Sequence, residues 1–189
     1  MKRSNLFLVG CLAVSFWWLW PSDRSHTPPQ QQAQTLPNGG FRVERYAIYP
    51  LEDFSLEARV LGREDYRLGR EAELSPTDLA LGWGPMADPR VLAGIRITQG
   101  NRWYHWNANP MPIPRREIET HSANMHMIPA NDGVARTLAQ VSAGEHIRLS
   151  GKLVRVEGDD GWRWVSSLTR EDTGAGACEL IWVERLERY

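Results

Sequence analysis

The stretch HSANMHMIPAND, residues 121–132, gathers His121, His126, Asn124, Asn131 and Asp132. These are side-chain types that ligate metals or move protons. The two histidines are five positions apart. On a helix that spacing leaves the rings roughly 140° apart around the axis, and on a strand it puts them on opposite faces. No regular element therefore makes them co-ligands. A zinc site would need a third ligand, and Glu117, Glu119 and Asp132 are neighbours in sequence only. No metal and no cofactor is expected. The alternation instead predicts a strand with Met125 and Met127 facing the core and Asn124 and His126 sharing the opposite face. Asn131 and Asp132 then make a turn that caps a helix beginning near Val134.

Two further groups bear on chemistry. Of the two cysteines, Cys11 lies in an N-terminal apolar run, which leaves Cys178 as the one thiol of the globular part. Beside a histidine it would be a nucleophile, whereas at the start of an apolar strand it packs. His121, His126 and Cys178, with Arg170, are the catalytic candidates of a hydrolase-type reading. DTGAG, residues 172–176, resembles the aspartic-protease signature. The context departs from that pattern, since Thr169, Arg170 and Glu171 precede it where an apolar strand is needed, and little chain follows. The stretch reads better as a Gly-rich turn whose free N–H groups, with Arg170 beside them, suit an anion.

Aromatic density supplies a binding reading. In RWYHW, alternation puts Trp103 and His105 on one face and Tyr104 and Trp106 on the other. In WRW, Trp162 and Trp164 share a face with Arg163 opposite. One aromatic face per strand would be core. Two faces leave some rings exposed, able to stack on sugars, bases or partner residues. The binding candidates are Trp103, His105, Asn124, His126, Arg170 and Asp172.

The elements that must position these residues are mostly strands. FRVERYAIYP and FSLEARVL read as two strands around a turn-like Leu51–Asp53, and ELSPTDLALGWG reads as a short helix with Ser75 as N-cap and Gly82 as stop. IRIT and RWYHW form a hairpin, MPIP is an extended spacer, and VARTLAQV is a helix with Val134, Leu138 and Val141 on one side. EHIRLSGKLVRVEG is a long strand with Ile147, Leu149 and Leu153 on one face and Val154 and Val156 on the other. Gly151 inside it suggests a bend or bulge. WRWVSSL and CELIWVERL complete the set. The fold class is mainly β, a small OB-like barrel with two or three short helices.

Ahead of this domain, residues 1–5 are a short cationic N-terminus and 6–20 an apolar run ending in Trp17, Trp18 and Trp20. Fifteen helical residues rise about 22 Å, short of a roughly 30 Å hydrocarbon core, but interfacial tryptophans extend the reach. A transmembrane signal-anchor is expected, ahead of a cleaved signal peptide or a lipoprotein at the LVGC stretch. Lys2 and Arg3 keep the N-terminus cytoplasmic. Residues 21–40, with Pro28, Pro29 and Pro37 and a glutamine run, read as a flexible linker. Residues 41–189 then form an extracytoplasmic domain held at the inner (cytoplasmic) membrane by a single pass.

The chain resembles a set of uncharacterised bacterial membrane-anchored proteins in the stretches SPTDLALGWGPMAD, HSANMHMIPA and SSLTREDTGAGACEL. The resemblance covers most of residues 54–184 and implies no activity. The net charge of −1 offers no basic excess for phosphates, which disfavours the oligonucleotide-binding reading that an OB-like face would otherwise allow. The leading expectation is an accessory domain that works by binding an envelope protein or a glycan. A hydrolase is the alternative.

Overall fold

Residues 122–129 alternate as their sequence predicts. In the computed structural model, which describes residues 33–37, 39–169 and 178–189, they form the strand β7 (Ser122–Pro129). The other strands are β1 (Gln34–Thr35), β2 (Phe41–Val43), β3 (Tyr46–Asp65), β4 (Thr77–Gly82), β5 (Arg96–Gly100), β6 (Trp103–Asn107), β8 (His146–Gly158), β9 (Arg163–Val165) and β10 (Glu179–Arg188). Four short helices join them: α1 (Arg70–Leu74), α2 (Pro89–Leu92), α3 (Arg115–Thr120) and α4 (Asp132–Gln140), with a 3-10 turn at Gly84–Ala87. The molecule is mainly β and is built on one large sheet. The apolar segment 6–20 and most of the expected linker lie outside the described residues. The end of that linker stretch is paired, Gln34 with Arg42 and Thr35 with Phe41.

The large sheet runs β1-β2-β3-β4-β7-β10-β8-β9, and β3 also pairs with β8. The pairings β3–β4–β7–β10–β8–β3 thus close on themselves, all antiparallel except β7 with β10. Inside the circuit lie Val60, Leu79, Leu81, Met125, Met127, Ile147, Leu149, Ile181 and Val183. Val134 and Leu138 of α4, with Val141, join the same core. Full burial of each large side chain contributes roughly 1.5–3 kcal/mol. A second cluster covers the outer face at one end, with Tyr46, Ile48, Val154, Val156, Leu180 and Trp182. A third, around Met86, Ile95 and Ile118, lies under the excursion between β4 and β7.

Three local expectations change. The stretch 77–82 is a strand, not a helix. Ser75 closes α1, its N–H donating to the Glu71 carbonyl at 2.8 Å, and the six residues of β4 are all buried. Leu79 and Leu81 enter the inner core while Asp78 and Ala80 point to the other face, so period-two burial overrides the Ser-Pro helix-start signal. No turn interrupts residues 51–53 either, because β3 is one strand of 20 residues. It bends by bulges that leave Leu51 and Leu61 as extra residues, so its first part pairs with β8 and its last part with β4. Finally, β8 itself is continuous through Gly151. Ile147, Leu149 and Leu153 face the inner core, and on the opposite face Val154 and Val156 are covered. The extra residues sit in its partners, at Leu51 of β3 and Glu184 of β10.

Candidate functional site

The β5–β6 hairpin stands apart from the large sheet as a two-stranded unit. Its turn residues Asn101 and Arg102 have φ of 52° and 68°, the left-handed pair that suits a tight two-residue hairpin. Alternation then exposes Trp103, His105 and Asn107 and turns Tyr104 and Trp106 inward. Tyr104 Oη lies 2.5 Å from Ser122 Oγ, and Ser122 Oγ donates to the Ile118 carbonyl at 2.6 Å. Since a serine has one hydroxyl proton, Tyr104 is the donor in that pair. Gln99 Nε2 donates to Asn124 Oδ1 at 2.8 Å.

Between this hairpin, α3 and the start of β7 runs a groove of about 550 Å³. Trp83, Trp103, Tyr104, His105 and Trp106 give it an aromatic lining, with Arg115, Glu119, Asn107, Ser122, Asn124, Thr169, Cys178 and Glu179 among the rest. Trp103 is 39 % exposed, so its face is available to a ligand. Arg115 and Glu119 pair at 2.7 Å across one helical turn, and the guanidinium lies 5.4 Å from the Trp106 ring centroid.

Beneath the groove lies a buried polar network. Asp78 is wholly buried. Its Oδ1 accepts from Arg102 at 2.7 Å and its Oδ2 from Asn124 Nδ2 at 3.1 Å. His126 Nδ1 lies 2.9 Å from the same Oδ1, yet without the geometry of a hydrogen bond. The His126 ring meets Trp164 at 4.9 Å between centroids.

Of the residues singled out from sequence, Trp103, His105, Asn124 and Cys178 come together on the groove. Asn124 is almost fully buried, and its amide is engaged by Asp78, Gln99 and the Arg102 carbonyl, so it forms wall more than ligand contact. His126 lies below, 4 % exposed. His121 is elsewhere, its Nδ1 3.0 Å from the Glu117 carbonyl oxygen and 3.2 Å from the Glu117 carboxylate. The two histidines do not converge, as the spacing predicts. Arg170 and Asp172 lie outside the described residues. Sequence reasoning missed Asp78, Arg102, Arg115 and Ser122, and weighed Glu119 only as a metal ligand. An arginine at a turn position that favours Asn or Gly was the available signal for Arg102. Asp78 gave none, because its stretch read as a helix.

Burial, then the neighbouring Glu179 and Asp78, pushes the Cys178 thiol up to about 11, which keeps it protonated and poorly nucleophilic. Burial also raises the Tyr104 phenol, so it offers Ser122 no base. Among the described residues no group of three His, Cys, Asp or Glu side chains is placed to hold a metal ion. The chain matches no protein-family model, no curated protein and no solved structure.

Proposed function

We propose that this is a membrane-tethered, extracytoplasmic binding domain whose aromatic groove takes an uncharged segment of an envelope glycan. The observation that carries the reading is the exposed Trp103 beside His105, Trp106 and the Arg115–Glu119 pair, in a groove of small-ligand size. Tryptophan faces suit the C–H faces of a sugar ring, and mixed donors and acceptors suit its hydroxyls. The groove's cation is neutralised by Glu119 and its wall carries Glu179, which argues against a phosphate-rich ligand. The closed circuit of five strands, with α4 against its inner core, supports an OB-like barrel as the scaffold. The cationic, apolar and Pro-rich segments ahead of residue 33 support the tether.

The test is titration of the full-length protein in detergent micelles with chitotetraose and cellotetraose, read by tryptophan fluorescence. Saturable binding that Trp103→Ala weakens at least tenfold is the expected outcome. Binding untouched by Trp103→Ala, or no binding by either sugar, removes the glycan reading. A topology reporter fused at residue 30 tests the placement, and a cytoplasmic signal overturns it.

A further inference from the structure

The β5–β6 hairpin shares no strand pairing with the large sheet, so side chains must dock it, and one residue at its tip dominates. Arg102 holds a left-handed φ of 68°, an uncommon state for a long side chain that persists where the surroundings impose it. Its guanidinium donates to Asp78 Oδ1 at 2.7 Å and to the Ser75 carbonyl at 2.8 Å. It also lies 3.8 Å from the Tyr66 ring centroid. Its backbone N–H donates to the Tyr66 hydroxyl at 2.9 Å, and its carbonyl accepts from Asn124 Nδ2 at 3.1 Å. Side chain, N–H and carbonyl thus all hold the same tip. Asp78, in turn, is a carboxylate with no solvent exposure, and its charge is balanced by the arginine only while the hairpin is seated. The next residue in the chain is Trp103.

We infer that Arg102 is a positioning residue for the groove: its guanidinium, inserted between Asp78, Ser75 and Tyr66, latches the hairpin onto the outer sheet face and so sets Trp103 and His105 against Ser122 and Asn124. The inference rests on the groove being the binding site. It predicts that loss of the latch frees the hairpin while the closed strand circuit stays intact, since the inner core of that circuit contains no hairpin residue.

Arg102→Met alone would leave Asp78 buried without the guanidinium that faces it, so the decisive variant is Asp78→Asn/Arg102→Met, which removes both members of the pair. Amide exchange in the ligand-free full-length protein is the first readout and chitotetraose affinity the second. In the double variant, hairpin amides between Ile97 and Asn107 should exchange at least tenfold faster, with β3 and β8 protected as in the wild type. The chitotetraose Kd should rise at least tenfold, and Arg102→Lys, which keeps the charge, should recover part of the hairpin protection. Unchanged hairpin exchange overturns the latch. So does an equal loss of protection in β8, since Arg102 would then support the whole fold. If the wild type binds no tetrasaccharide, the glycan reading fails and the exchange pattern still decides the latch.

Discussion

Cys178 lines the groove with its thiol held up to about 11 by burial and by the Glu179 and Asp78 carboxylates. At pH 8 roughly one such thiol in a thousand is ionised, against about a quarter for an ordinary thiol of pKa 8.5. In a Cys11→Ser chain, iodoacetamide should therefore alkylate Cys178 about a hundredfold more slowly than glutathione at pH 8, with the rate still climbing past pH 10. Alkylation as fast as glutathione's would restore the thiol as a candidate nucleophile. The neighbouring residues show what was legible at this scale. Period two alone was enough to put Asn124 and His126 on one face and Met125 and Met127 on the other. That the polar face is covered was not legible, because its cover comes from Gln99 and Arg102 on a distant hairpin.

Elements were legible where one local signal spoke alone. Asn131 accepts from the Val134 N–H at 3.1 Å as the N-cap of α4, and Asn131→Ala should lower stability by about 1 kcal/mol in urea unfolding. Elements were misread where a tertiary demand overrode a local one. The Ser-Pro pair at 75–76 looks like a helix start, but β4 has neighbours on both sides, β3 and β7, and buries all its residues. The bulges at Leu51 and Leu61 are likewise set by the need of β3 to serve two partners. At Gly151 the composition hinted at a special backbone, and the reason is contact: an added Cβ would lie 2.0 Å from the Trp182 carbonyl oxygen. Backbone of β10 must move to admit it. Gly151→Ala should therefore cost about 3 kcal/mol or more, and a change under about 1 kcal/mol would show that β8 and β10 can separate there without loss.

Among the described residues many surface charges are paired, and these pairs shape the response to acid. Arg70 holds Asp160 at about 2, below its ordinary 3.8, through hydrogen bonds of 2.7 and 2.8 Å. The Trp162 N–H also donates to Asp160, and the Arg70 guanidinium lies 4.6 Å from the Trp162 ring centroid. Glu73 is lowered first by the Tyr46 hydroxyl and then by Arg45, Glu157 by Arg163, and Glu145 by Arg188. Each of these carboxylates binds its proton less readily folded than unfolded. Their contribution is therefore fully present above the unfolded pKa and is lost as pH falls through the folded one. For Asp160 that window runs from about pH 4 down to 2. The pairs lie at the surface, so salt should weaken the effect. In Arg70→Gln the Asp160 carboxylate loses its partner, and its pKa should return toward 3.8. Urea midpoints should then be lower than wild type at neutral pH, with the difference shrinking below pH 4 and gone near pH 2. A difference that persists undiminished at pH 2 would mean that Arg70 acts through its stacking on Trp162 and Tyr46, not through Asp160.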